Sequence, residues 1–470
     1  MKTKLFLLLL VLCLALTGCS FPASSGVSST TASISTSATE DAAADLANAL
    51  EQALAQDTAG KSFSSATEWL LYYGLDGFTQ GKMEAVEQIY QMYFIREVPE
   101  AQTVAKSMLE WVIEGLRQEV LDHTDIDKLT DYLISAYLVA VGDKYATYLN
   151  EEDYKSYQSD TSGNFVGVGV SATYDMIANT LEVISVIAGS PAEAAGLQAG
   201  DFITHVDGTP IEELGYYASI NNIRGEEGTT VVLTIRRGES SFDVSIVRAA
   251  LTEQTVYHRI IGEGETKLGY LQITTFSEVT TEQFKAAVDE LQAAGVVGLV
   301  FDMRNNGGGL LSTVLAMLDY LLPDGEPIAN YVYYDGSKKH DVGSDKHHVN
   351  LPFAVITNAY TASAAELFSS ALQDYAKKGY IPQAQVIGDV TYGKGTMQSI
   401  IEFVDGTAMT ISIAYYQPPF SENYEGKGVI PDVSVSLPEE HQGKNPQAIP
   451  DAEDTQLQAA LSTFGTNETK

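Results

Sequence analysis

Phe353-Ala354-Val355-Ile356-Thr357-Asn358-Ala359-Tyr360-Thr361-Ala362-Ser363-Ala364-Ala365-Glu366 decides how the chain is read. Its first five residues are a continuous apolar and β-branched run, the mark of a strand buried on both faces. Asn358–Ala362 is a turn of small and polar residues, and Ser363 opens a helix that runs to Tyr375. Strand, turn and helix in succession are the unit of an α/β sheet. The alternation continues on both sides. Toward the N-terminus, Gly269–Ile273 and Val296–Phe301 read as strands. Between them Thr280 and Gln283 have capping-box spacing, ahead of a helix with Phe284, Val288 and Leu291 on one face and Gly295 at its end. Leu310–Leu322 is a further helix. Toward the C-terminus, Gln385–Gly388 and Met397–Phe403 are strands, and Asp405-Gly406 turns into Ala408–Tyr416. Residues 251–440 are expected to form this α/β unit, and the polar stretch 441–470 a flexible tail.

Upstream the pattern changes twice. Residues 159–250 carry short β-type runs between turns: Phe165–Thr173, Leu181–Ile187, Phe202–Val206, Val231–Arg236 and Phe242–Arg248. Residues 62–158 are helical, with apolar residues at helical spacing at Val86, Ile89, Tyr90 and Tyr93, and again at Ile126, Leu129, Leu133 and Tyr137. Residues 19–61 are rich in Ser, Thr, Ala and acidic residues; such a segment buries too little to fold and reads as a disordered tether, with a short helix around Ala42–Ala55. Residues 1–18 read as a signal peptide, with Lys2 and Lys4 before the apolar stretch Leu5–Leu16. Leu16-Thr17-Gly18-Cys19 resembles a bacterial lipobox, which implies cleavage and lipidation at Cys19. The expectation is an exported protein, lipid-anchored to the outer face of the cytoplasmic membrane, since two acyl chains give stable anchoring. Both cysteines, Cys13 and Cys19, lie in this segment, so no disulfide or cysteine nucleophile is expected beyond it.

Charge narrows the function. A formal charge of −35 is the opposite of the basic footprint that nucleic-acid binding needs. An anionic membrane surface would repel the chain too, leaving the lipid as its membrane contact. The seven histidines are scattered, and none sits in an HExxH spacing, so no metal site is expected.

Two places carry chemistry. A serine at the first turn of a helix is ordinarily an N-cap. The same helix start nonetheless suits an oxyanion, because free N–H groups and the positive dipole end converge there. The second place is Tyr392-Gly393-Lys394-Gly395-Thr396-Met397-Gln398. A lysine is ordinarily a solvated cation, and acts as a base only when desolvation lowers its pKa. If residues 394–398 are extended, Lys394, Thr396 and Gln398 share a face, and Gln398 can orient the amine. The string is not a phosphate loop: Gly395 stands where Ser or Thr would reach a metal, and a strand follows rather than a helix.

Phe165–Val170, Gly189-Ser190-Pro191-Ala192 and Gly196–Asp201 resemble a PDZ domain of the bacterial protease type. That resemblance implies a groove lined by Val166, Gly167, Val168, Gly169 and Val170, in which backbone N–H groups hold a peptide C-terminus. Gly142-Asp143-Lys144-Tyr145, Phe301–Gly309, Thr361–Glu366, Gln373-Asp374, Gly393–Gln398 and Gly428–Asp432 follow in the order of one family. Across roughly 130–435 the chain resembles the C-terminal (tail-specific) processing peptidases. The resemblance implies an α+β multidomain protein: N-terminal helices, a PDZ domain built as a partly open β-barrel with helices, and an α/β core of crotonase/Clp-like type. It implies a serine endopeptidase with Ser363 as nucleophile, Lys394 as base, Gln398 positioning the lysine, and the N–H groups of Gly308 and Ala364 as the oxyanion hole. No cofactor is implied. The expected partners are peptides or proteins with free, apolar C-termini. Family members often pair through terminal helices, which makes residues 62–157 a candidate dimer surface. The family's PDZ arginine has no certain match here, Arg224 being the candidate.

The chain departs from the family's pattern at Gly307, where many members have Pro, at Ala365, where many have Ser, and in a longer stretch at Ala376–Ala384. Two other classes stay open on the residues alone. One is a PDZ scaffold with a silent core; the other is an acyl-CoA-processing enzyme sharing the core fold.

Overall fold

The computed structural model describes residues 40–465 apart from 57, 176, 177 and 345. The signal segment, Cys19 and most of the tether lie outside them. Five helices come first: α1 (Glu40–Leu54), α2 (Ala66–Tyr72), α3 (Gln80–Tyr93), α4 (Ala101–Arg117) and α5 (Ile126–Ala140). The short helix expected around Ala42–Ala55 is α1, but it is docked and no part of a free tether. Ala47 and Leu50 are buried in the helical core, against a helix, α4, that already carries a wide apolar face. That core also takes in Met409 and Ile411, so the helices are seated on a sheet of the catalytic region rather than closed on themselves.

β1 (Tyr148–Leu149) and α6 (Glu151–Ser162) lead to β2 (Asn164–Gly167). The next unit holds β3 (Val170–Asp175), β4 (Thr180–Val186), α7 (Pro191–Ala194), β5 (Phe202–Val206), β6 (Thr209–Pro210), α8 (Ile211–Ile223), β7 (Thr230–Arg237) and β8 (Ser240–Val247). Its sheet runs β3-β4-β5-β7-β8, so β3 is an open edge. The single strand expected over Phe165–Thr173 is two, parted at residues 168 and 169 where Gly169 takes φ 93°. β2 leaves the sheet and pairs instead with β9 (Ala249–Thr252), Phe165 opposite Leu251.

The remaining strands are β10 (Val256–Ile261), β11 (Leu268–Ile273), β12 (Leu299–Asp302), β13 (Pro327–Tyr333), β14 (Lys338–Val342), β15 (Phe353–Thr357), β16 (Ala384–Gly388), β17 (Thr396–Glu402), β18 (Ala408–Gln417) and β19 (Val433–Ser434). Helices α9 (Thr280–Ala293), α10 (Leu311–Leu321) and α11 (Ala364–Lys378) alternate with them, and α12 (Thr455–Ser462) ends the fold. One sheet has the order β10-β11-β12-β15-β16-β19, parallel from β11 onward. Its strands are buried throughout at β12 and β15, as their unbroken apolar runs require. In such a sheet, sites form beyond the carboxyl ends of the strands. The loops 303–310, 358–363 and 389–395 leave the carboxyl ends of the neighbouring strands β12, β15 and β16.

The second sheet joins β1, β18, β13 and β14, with β17 on β18. His340, expected in a polar loop, lies in β14. Gln283 caps nothing: it reaches out of α9 and accepts the N–H groups of Thr255 and Val256. The expected flexible tail is also corrected. Leu457 and Ala460 of α12 are buried beneath the parallel sheet, beside Val300 and Ile387. The extra length at Ala376–Ala384 is spent on prolonging α11 to Lys378, with Gly379 in the left-handed conformation as its stop.

Candidate active site

Ser363 stands between β15 and α11 at φ 58°, ψ −119°. A non-glycine residue held there stores on the order of 1–3 kcal/mol of strain and persists only if its surroundings enforce it. Glu366 enforces it. One carboxylate oxygen, Oε2, accepts the backbone N–H of Ser363 at 2.8 Å and that of Lys394 at 2.8 Å. The other, Oε1, accepts Gly393 N–H at 2.7 Å and the Thr391 hydroxyl at 2.5 Å. Glu366 is fully buried. Burial pushes its carboxyl above the ordinary value, while the Thr391, Lys394, Gly393 and Ser363 donors pull the other way. A single side chain thereby ties the serine turn to the lysine loop across 28 residues.

The Lys394 amine is half-buried, and that burial lowers its pKa below the ordinary lysine value; the charges of Asp143, Glu425 and Glu366 oppose the shift. Nζ donates to Gln398 Oε1 at 2.7 Å. Strand β17 has a bulge between Met397 and Gln398, so simple alternation does not set the side chain's direction; the hydrogen bond does. Gln398 Nε2 in turn donates to the backbone carbonyl of Tyr145. The Tyr145 ring lies over the amine, 4.9 Å from ring centre to Nζ. Its hydroxyl donates to Glu425 Oε1 at 3.1 Å. Tyr145 belongs to the turn after α5, and buried Asp143 pins that turn by accepting Ser412 N–H at 2.9 Å and the Ser412 hydroxyl at 2.7 Å. Among the described residues no hydrogen bond joins Lys394 Nζ to the Ser363 hydroxyl.

The oxyanion candidates differ. The Ala364 N–H, at the first turn of α11, makes no hydrogen bond among the described residues. Gly308 presses against the serine: a Cβ built on it would come within 2.7 Å of Ser363 Cβ and 3.0 Å of Ala364 N. At φ 105° and with that clearance, only glycine fits. Its N–H, however, is spent on Asn306 Oδ1 at 2.8 Å, contrary to the free donor expected. Asn306 is buried and held by the Ile273 carbonyl.

Four of the five groove residues, Gly167, Val168, Gly169 and Val170, line a cavity of about 360 Å³ beside the open edge of β3. Val166 is not among them. Among the described residues the N–H groups of Val168 and Gly169 make no hydrogen bond, so both stay available to a carboxylate. Arg224 lines the same cavity and pairs with Asp160 at 3.2 Å. The opposite wall comes from the catalytic region, through Tyr257, Thr274 and Asn445. Two residues on from Thr274, the N–H of Phe276 donates to the Gly308 carbonyl at 3.0 Å. The cavity wall is thus joined to the glycine loop by a backbone hydrogen bond two residues further on.

Sequence reasoning found Ser363, Lys394, Gln398 and Gly308, which the fold brings to one end of the parallel sheet. It gave no role to Tyr145, although the residue stands in the Gly142–Tyr145 motif. Nothing local relates it to Lys394, and only the seating of the helices on β18 does so. The family profile of Peptidase family S41 matches residues 267–435, and that of the PDZ domain matches residues 182–237. The carboxy-terminal processing protease CtpA of Bacillus subtilis is 33% identical over 327 residues, covering 69% of this chain and 68% of the relative. The carboxy-terminal-processing protease of Bartonella bacilliformis is 32% identical over 346 residues, 71% of this chain and 76% of that one. A crystal structure titled as an S41 protease from Bacteroides fragilis shares the fold at TM-score 0.53 and 18% identity, over 81% of this chain and 96% of that one.

Proposed function

The chain belongs to peptidase family S41, the C-terminal processing serine proteases with a PDZ domain, and on that footing we propose that it cleaves substrates with free C-termini by a Ser363–Lys394 mechanism. The observation that carries this reading is the Glu366 carboxylate shared by the Ser363 and Lys394 amides, beside a lysine amine that burial keeps below its ordinary pKa.

Neutral Lys394 takes the Ser363 proton, and Ser363 attacks the scissile carbonyl. The charge that develops on the carbonyl oxygen meets the Ala364 N–H and the positive end of α11. Gly308 adds a second donor once its N–H turns from Asn306. Lys394 then protonates the leaving amine, and water cleaves the acyl-enzyme. One bond, Gly308 to Asn306, has to be traded on the way, while Lys394 keeps an N–H on Gln398 and turns its lone pair to Ser363. We read the arrangement as a resting one that a bound substrate completes. The substrate's terminal carboxylate is assigned to the Val168 and Gly169 N–H groups, its last side chains to the apolar wall of the cavity.

Export and anchoring through Cys19 belong to the same proposal, as does pairing through the N-terminal helices. Labelling with a radioactive fatty acid, lost in Cys19→Ala, tests the anchor. The principal test uses purified residues 20–470 and an unstructured protein with an apolar C-terminus. Cleavage is expected, and is lost in Ser363→Ala and in Lys394→Ala with folding intact. Cleavage that survives Lys394→Ala would give the base to another residue.

A further inference from the structure

The S41 family profile ends at residue 435, and the chain beyond it has the composition of a solvated tail. The structure folds that stretch onto the catalytic loops. Arg304 is 2% exposed and lies between two buried carboxylates. Its Nε reaches Asp302 Oδ1 at 2.9 Å, and its Nη1 and Nη2 reach Asp454 Oδ1 and Oδ2 at 3.0 and 2.8 Å. The pairing with Asp454 is bidentate and spans 150 residues. Gln456 Oε1 accepts from Arg304 Nη1 at 3.3 Å, while its Nε2 donates to Asp389 Oδ2 at 3.0 Å and to the Val435 carbonyl at 2.9 Å.

The positions of these partners matter. Arg304 begins the loop that carries Asn306 and Gly308. Asp389 begins the loop that carries Lys394, and its backbone is fastened to Thr357 at the end of β15. One short segment therefore grips the roots of both loops. A second grip reinforces the first, since Asn305 Nδ2 donates to the Lys444 carbonyl at 3.2 Å. Asp454 also caps α12, its Oδ1 accepting the Leu457 N–H at 2.9 Å, but a cap calls for neither the arginine nor the bridging amide. Asp302 already pairs with Arg304, and a second buried carboxylate adds a charge whose desolvation is costly. Apolar packing would hold a tail at less expense. What a bidentate carboxylate and a bridging amide add is direction, because each bond holds its partner at a set angle.

We propose that Asp454 and Gln456 are positioning residues of the peptidase reaction. They hold Arg304 and Asp389, and through these the loop that sets Gly308 against Ser363 and the loop that supplies Lys394.

The test is single-turnover cleavage by the full chain, with enzyme in saturating excess over a fluorescent protein bearing an apolar C-terminus. At saturation the rate constant reports the competent sites and not their number, so misfolded protein does not depress it. Asp454→Asn and Gln456→Ala are each expected to lower that rate constant about tenfold or more, as misplaced reacting groups do. The enzyme concentration giving half-saturation should stay within about twofold for the folded fraction. Asp454→Glu is expected to recover part of the loss. Gln456→Ala carries the test if Asp454→Asn fails to fold, since it leaves no buried charge unpaired. A rate constant unchanged in Gln456→Ala, with the loss confined to melting temperature, would overturn the proposal. The proposal rests on Ser363 and Lys394 as the reacting pair. A Ser363→Ala arm keeps the two apart, because cleavage surviving there would sink the pair itself, whatever the tail variants do.

Discussion

The Tyr145 ring covers the Lys394 amine at 4.9 Å, so the helical region, more than two hundred residues upstream, closes the lysine's pocket. Burial is the largest influence on that amine, and it favours the neutral form. The ring's quadrupole favours the cation, but by only about 0.5–2 kcal/mol. Removing the ring lets water in, and the hydration effect dominates. Tyr145→Ala is expected to move the ascending limb of the kcat/KM profile to higher pH, with activity lost near neutrality and regained in alkali. Tyr145→Phe keeps the ring and should keep the profile. A pH profile unmoved in Tyr145→Ala would show that the roof does not keep the amine dry.

Lys394 also carries a stability cost with a definite pH window. Its folded pKa lies below the unfolded value near 10.5. The penalty is therefore fully present below the folded pKa, and fades as pH rises toward 10.5. Lys394→Met should gain stability relative to the parent at neutral pH, and that advantage should shrink toward pH ~10. Urea unfolding of both proteins at the two pH values gives the comparison. A difference that stays constant would mean that the amine is as well solvated as in the unfolded chain.

Two neighbouring glycines should behave in opposite ways. A methyl group on Gly308 would meet Ser363 Cβ at 2.7 Å and the Ala362 carbonyl at 2.9 Å, whereas one on Gly307 meets nothing within 4 Å. Gly308→Ala should cost at least about 100-fold in kcat, the scale of a lost oxyanion donor. Gly307→Ala should stay within about threefold, on the same scale. Steady-state kinetics on the two variants decide it, and equal losses would remove the close approach as the cause.

Strain at Ser363 predicts an order of stability among inactive variants. The residue holds φ 58°, which glycine adopts at little cost and alanine does not. Ser363→Gly should exceed Ser363→Ala in unfolding free energy by about 1 kcal/mol, beyond the usual preference for alanine elsewhere. Chemical denaturation of the pair measures it. Alanine proving the more stable would mean that the turn relaxes when the hydroxyl is lost.

Much of the fold is legible in the residues themselves. The unbroken apolar run at Phe353–Thr357 announces a buried parallel strand, because a strand facing helices on both sides has no polar alternation to show; the run at Val296–Phe301 does so only from Leu299, Val297 lying exposed ahead of the strand. Hidden features have physical reasons too. Lys338–Val342 is exposed along its whole length, so it carries no apolar rhythm and becomes a strand only because β13 offers an edge. Asp454 looks like one more acidic residue of a solvated tail; its arginine lies 150 residues away, and nothing local marks the pair. The helix α1 is legible in its alanine-rich run, but its docking on the helical core is not, because nothing local marks the face that Ala47 and Leu50 bury. Asn306 is the subtlest case. The sequence places it beside the glycines, but not the hydrogen bond by which it occupies one of them.

The pairing of β2 with β9 has a consequence for ancestry. These strands are the way into the PDZ unit and the way out of it, and they lie antiparallel, Asn164 opposite Thr252 and Gly167 opposite Ala249. The unit's two ends therefore meet, as the ends of a stem meet beneath a loop. Its host supplies a closed clasp, and whatever hangs from that clasp is free to lengthen, shrink or be exchanged by recombination without shifting the register of the strands that bear the serine and the lysine. The N-terminal helices have no such licence, because Met409 and Ile411 of the catalytic sheet complete their interior. Descent should have treated the two accessories differently: the peptide-binding unit as a cassette, the helical one as an heirloom handed down with the sheet it covers.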